Sequence, residues 1–205
     1  MSYSKFNLNN IQTKLGLNVV RKPIFDGANI ESIPLSEWLT TSLSMGEQIS
    51  LVSEKARSEF IVTPILLEVL HKNNYNFSLL SGINLDIDPA KGLIGECDFI
   101  IAAKAHILSI QSPILAIIEA KDNDIQRGIP QCAAQMYAAR ICNEENNTSQ
   151  TTIWGCVTTG TDWQFLCLID HTIYVHLQLY YLNQVPELLG ILQYIVDSSI
   201  VVTND

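Results

Sequence analysis

Positive charge is scarce in this chain: twelve Lys and Arg stand against twenty-one Asp and Glu, a formal net charge of −9 over 205 residues. Phosphate contacts draw on clusters of Lys and Arg, so the composition argues against a simple basic patch for nucleic acid. Metal-site spacings are missing too. The four histidines form no HExxH pair, and the five cysteines are scattered, with no CxxC, so reduced, buried thiols are expected and neither zinc nor a disulfide framework is. GxGxxG and GxxxxGK[ST] phosphate loops are absent. No apolar run approaches the roughly 18 to 20 residues of a membrane span. Met1 to Asn10 lacks the basic-then-apolar order of a signal peptide, so a cytoplasmic protein is expected, with no membrane partner. There is no repeat and no low-complexity tract.

What is present is enough apolar residue, 47% of the chain, for one substantial core, and a single domain over residues 1–205 is expected. Residues 1–33 are polar with few periodic signals and read as a loosely packed arm. Pro34 to Thr40 opens a short helix. Apolar spacing from Ser53 to Lys72 predicts a helix capped by Ser53, which Pro64 should bend or split. Strands are predicted near Tyr75 to Ile83, 95–103 and 113–121, then a helix from Gln131 to about Cys142. Strands at Thr151 to Thr159, Trp163 to Ile169 and Thr172 to Leu179 follow, with a final helix from Pro186 to Val196. This order describes an α/β fold, a mixed sheet flanked by helices. Trp163 should pack onto the sheet behind the turn at Gly160, and Tyr137, Trp154, Tyr180 and Tyr181 read as core or interface aromatics because no basic residues interleave them.

The chemistry concentrates in two strands. The apolar run beginning at Pro113 ends in Glu119-Ala-Lys121, and side chains alternate along a strand, so Glu119 and Lys121 share a face. Asp98 lies twenty-one positions upstream in another apolar strand. If these strands pair, two carboxylates and an ammonium converge at one end of a sheet, an arrangement able to hold a hard divalent cation and activate a water. In the first long helix Glu59 shares a face with Thr63, Leu66 and Leu70, where an unpaired charge would be costly. Glu54, about 140° away on an ideal helix, lies near Arg57 and is read as a surface pair, so Glu59 is preferred. Gln131 and Gln135 lie one turn apart on the later helix. Arg127 and Arg140 do not amount to a basic patch.

The order of Glu in a first helix, Asp98 in a strand, Glu119-Ala-Lys121 in the next and a glutamine in the following helix resembles the PD-(D/E)XK nuclease superfamily, especially the nuclease domains of type I restriction subunits and related small bacterial proteins. The likeness spans residues 50–170; Cys97 stands where the motif name has proline. The resemblance implies a restriction-endonuclease-like fold and a metal-dependent nuclease cutting DNA, with Mg²⁺ or Mn²⁺ as cofactor. Asp98, Glu119 and Glu59 would be its metal ligands, Lys121 would orient or help deprotonate the attacking water and stabilise charge in the transition state, and Gln131 or Gln135 would position phosphate or lysine. The acidic charge keeps open a second expectation, a nuclease-fold module without turnover that works beside a partner protein. The apolar C-terminal helix and Ile200-Val-Val202 leave a homodimer as a third.

Overall fold

The computed structural model describes residues 2–200. One mixed eight-stranded sheet runs through the molecule: β1 (Asn18–Arg21), β2 (Ser78–Asn84), β3 (Glu96–Ala102), β4 (Ile114–Ala120), β5 (Ile153–Thr158), β6 (Asp162–Ile169), β7 (Thr172–Val175) and the short β8 (Tyr180–Tyr181). The strand order is β1-β7-β6-β5-β4-β3-β2, with β8 added beside β6. Neighbours are antiparallel except β1 with β7 and β4 with β5. The parallel β4–β5 pair needs a long connection, supplied by helix α5 (Ile125–Glu145). Every residue of β4 is buried, which is why its sequence is a continuous apolar run rather than an alternating one.

Both faces of the sheet are covered. On one, α1 (Leu8–Leu15) and α5 enclose a core that includes Ile11, Ile117, Cys132 and Met136. On the other, α2 (Glu37–Glu47), a helical stretch from Glu54 to Lys72 and α6 (Val185–Ile200) enclose Leu39, Ile65, Phe165 and Leu192. Gly155 lets α5 settle onto β5, because a Cβ there would lie 2.4 Å from the Met136 sulfur.

Several expectations are corrected. Residues 1–33 are not a loose arm. Tyr3, Phe6, Ile11 and Leu17 are buried, the Tyr3 hydroxyl donates to the Leu85 carbonyl at 2.5 Å, and β1 pairs with β7. The following segment is held by Phe25, stacked on Trp154 at 5.7 Å, and by His176, whose Nδ1 accepts from the Ile24 N–H at 3.1 Å. α5 begins six residues before Gln131, at Ile125, because the Asp124 carboxylate accepts from the N–H groups of Gln126 and Arg127 and caps it. The apolar face of α6 packs into the core through Leu188, Leu189, Leu192 and Ile195, so it is no free dimer face; Val201 and Val202 lie outside the described residues.

The helix from Glu54 to Lys72 has three parts: α3 (Glu54–Arg57), a π-helical turn (Ser58–Val62) and α4 (Thr63–Lys72). Ser53 caps it, its hydroxyl accepting from the Ala56 N–H at 3.1 Å. In the wide turn the Thr63 N–H reaches back five residues to the Ser58 carbonyl. Pro64 has no N–H to give the Phe60 carbonyl, and this is where the expected break in the α-helix falls. The Phe60 carbonyl instead lies against Gly46 of α2, where a Cβ would stand 2.7 Å from its oxygen. Gly46→Ala should therefore lower stability in urea unfolding by about 1–3 kcal/mol, as overpacking does. An unhindered helical Gly→Ala gains about 1 kcal/mol; such a gain here would show that the Phe60 carbonyl does not constrain α2.

Candidate active site

Three local features bring the charged groups together. β3 and β4 pair as far as Phe99 and Ile118; beyond them the Asp98 carboxylate takes a backbone role, its Oδ2 accepting from the Ala120 N–H at 2.7 Å. On the other side, β4 and β5 pair to Ala120 and Thr158, and the Lys121 N–H donates to the Thr158 carbonyl at 2.8 Å. Gly128 at the start of α5 leaves room for Lys121, since a Cβ there would lie 3.0 Å from the Lys121 Cγ and 2.3 Å from the Val157 Cγ1.

Glu119 stands between these anchors and is 1% exposed. Its Oε1 accepts from the Lys121 ammonium at 2.5 Å and its Oε2 from the Gln135 amide at 2.8 Å. Gln135 also donates to the Glu96 carbonyl at 3.3 Å, while its own oxygen is buried without a partner. The predicted convergence of Asp98, Glu119 and Lys121 is thus realised, and of the two glutamines it is Gln135 that reaches Glu119. Gln131, one turn earlier, is half-buried.

The helix acids lie otherwise than expected. Glu59 does not face apolar surroundings: it is half-exposed and pairs with Lys55 at 3.7 Å. Glu54 is the acid whose carboxylate comes within 4.0 Å of the Lys121 ammonium. Glu59 stands in the π-helical turn, where the ideal rotation of 100° per residue does not hold, so the two acids cannot be ranked on an ideal helix. Arg57 fixes α3 here by donating to the Leu51 carbonyl at 2.9 Å and to the Asp122 carbonyl. Both acids line a cleft of about 430 Å³ whose walls also include Ser58, Glu96, Asp98 and Ala120. Glu96 was not singled out from the sequence, although the alternation that pairs Glu119 with Lys121 also pairs it with Asp98. Arg140 is buried beside Glu144 and the Tyr137 ring, and Arg127 is exposed beside Asp124. A larger cavity of about 600 Å³ beside β1 has Arg21 as its only charged wall residue among those described, so it carries no comparable chemistry.

Burial raises the Glu119 pKa, to about 7, and the neighbouring Asp98 adds to the rise while Lys121 and Gln135 oppose it. Burial likewise raises Asp98 and Glu54, against the pull of Lys121 on each. Burial pulls the Lys121 ammonium down, but Glu119, Glu54 and Asp98 outweigh it and the net shift is upward. Fully ionised, three carboxylates and one ammonium leave two negative charges in excess. Among the described residues no three His, Cys, Asp or Glu side chains already form a metal cage. Mg²⁺, however, is commonly held by one or two carboxylates, with waters and substrate phosphate completing its shell, and the hard oxygens of Asp98 and Glu119 fit that demand.

A carboxyl whose pKa is higher folded than unfolded favours the folded state at low pH and loses that contribution as pH rises through its folded value. For Glu119 the window runs from its ordinary 4.5 to about 7. In chelator-treated protein, Glu119→Gln should flatten the fall of urea stability across this range relative to wild type. Identical slopes would show that Glu119 titrates normally.

No protein-family model matches the chain and no curated protein matches it.

Proposed function

We propose that this chain is a Mg²⁺- or Mn²⁺-dependent nuclease of the restriction-endonuclease-like class, hydrolysing phosphodiester bonds in DNA. The observation that carries the reading is the buried Glu119, bound by Lys121 and Gln135 beside Asp98, in a site that gathers three carboxyls around one ammonium. Asp98 and Glu119 would hold the cation, which when bound would neutralise phosphate charge and acidify a water. Glu54 takes the helix-acid role expected of Glu59, and lies closer to Lys121. The upward shift of Lys121 keeps it an ammonium at neutral pH, so its part is to orient water and stabilise charge on the phosphoryl oxygens; it does not remove a proton. Gln135 positions Glu119. All five cysteines are free, which suits a reducing cytoplasmic location, and among the described residues no helix is long and apolar enough to cross a membrane.

A second reading, a nuclease-fold module without turnover, is favoured by one observation: both oxygens of Glu119 are already engaged by protein groups. Calorimetric titration of Mn²⁺ and Mg²⁺ into wild type and into Asp98→Ala,Glu119→Ala separates the two. Saturable heat in wild type, lost in the double variant, is expected; no heat in wild type with or without added DNA favours the inactive module. Lys121→Ala should abolish DNA cleavage with circular dichroism near wild type and a lowered unfolding midpoint, because the buried Glu119 loses one of its two partners. Retained cutting by that variant would exclude the mechanism.

A further inference from the structure

The two edges of the sheet differ. β2 forms one, and there Gly82, at φ +65°, interrupts the pairing with β3 between Ser81 and Ile83. A left-handed residue within a strand bends it and hinders the addition of another. β1 forms the other edge, in unbroken parallel register with β7 from Asn18 to Arg21. The Asn18 N–H donates to the His171 carbonyl at 2.9 Å and the Lys22 N–H to the Val175 carbonyl at 3.1 Å, so by alternation the N–H and carbonyl groups of Val19 and Arg21 point outward. Among the described residues no strand lies on that side. The cavity of about 600 Å³ follows this edge: its wall takes in every residue of β1, with Leu8 of α1 and Ile129 of α5, and Leu8 and Val20 are exposed there.

The edge is cationic at one end. Arg21 donates to the Gln126 side-chain oxygen at 3.3 Å, and the Lys22 ammonium lies 3.6 Å from the centre of the Tyr174 ring; Gln126 and Tyr174 line the same cavity. Both partners are neutral, and among the described residues neither cation makes an ion pair. Both side chains turn toward the fold, whereas charges that guard an edge stand over it. No carboxylate among the described residues lines the cavity. Asp124 caps α5 and pairs with Arg127, and Asp170 precedes β7 at the opposite, Asn18 end of the edge. Negative charge is therefore favoured at the Arg21 end. Outward carbonyls repel phosphate, but donors and acceptors in alternation match the backbone of an extended peptide. We propose that β1 accepts an extended acidic segment of a partner protein as an added strand. Its backbone would exchange hydrogen bonds with Val19 and Arg21, and because successive side chains alternate, an acidic pair would meet Arg21 on one face and Lys22 on the other. This edge shares no residue with the walls of the acidic cleft and does not depend on the metal.

The probe is the capped peptide Thr-Val-Val-Glu-Glu-Thr, compared with its Lys-for-Glu counterpart and with two N-methylated forms that block alternate amides. Calorimetry with the full chain should show saturable binding of the acidic peptide and affinity about tenfold or more lower for the Lys peptide. In Arg21→Glu,Lys22→Glu that preference should reverse. Lys91→Glu,Lys104→Glu changes net charge equally on the β2–β3 side of the sheet and should bind as wild type does. Only alternate amides of an added strand face β1, so one N-methylation pattern should abolish binding and the other leave it intact. Amide exchange at Val19 and Arg21 should slow in the complex. Absence of saturable binding would overturn the proposal, and so would equal effects of the two N-methylation patterns, which would reduce the edge to a plain anion site. A dimer in light scattering that Arg21→Glu,Lys22→Glu dissociates would overturn it as well, by making a second copy of this chain the occupant.

Discussion

A carboxylate that water cannot reach must be bound by something else, and the arrangement around Glu119 follows from that requirement. Left alone in the interior, its charge would shift the group toward the neutral acid at a cost of several kcal/mol. Lys121 and Gln135 each satisfy one of its oxygens. For Lys121 to do so, β4 must end where it does, with Thr158 of β5 holding the next N–H and Gly128 leaving α5 close to the lysine stem. For Gln135 to do so, α5 must lie flat against β4 and β5, which Gly155 and the small residues Ala133 and Ala134 permit. The parallel crossover thus positions the two groups that make the burial of Glu119 tolerable.

The compensation is incomplete. Asp98 stands close enough to raise Glu119, and Glu54 adds a third carboxyl against the single ammonium of Lys121. A folded protein gains nothing in stability by gathering like charge at a strand end, and perturbed groups of this kind cluster at functional sites. The stability it gives up is supplied by the two apolar cores, which cover both faces of the sheet and depend little on the site.

The parts legible in the sequence were those set by local period. The apolar runs around Asp98 and Glu119 marked interior strands, and alternation placed Glu119 and Lys121 on one face. What escaped depended on partners far along the chain or on departures from ideal geometry. β1 pairs in parallel with β7, some 150 residues later, and nothing in Asn18–Arg21 announces that partner. Glu54 and Glu59 were ranked with an ideal helix, which the turn before Pro64 is not. Gln131 and Gln135 share a face and differ only in depth along it, so period alone left both open. The start of α5 was expected only at Gln131 because Gly128 and Pro130 suit a turn or a helix start; here the glycine admits close packing and the proline sits near the helix start.

The π-helical turn links the site to the outer surface. It follows directly on α3, which carries Glu54, and itself carries Glu59 on the cleft wall, and its Phe60 carbonyl lies against Gly46 of α2. The position of α2 in turn decides where Trp38 meets Leu67 and Tyr75. A displacement of α2 must therefore either move the Phe60 carbonyl or lose its close approach to Gly46. The first choice strains the turn that carries Glu59; the second opens a gap between packed elements, which close-packed interiors resist. The packing of α2 and the wall of the acidic cleft thus meet at one short backbone segment.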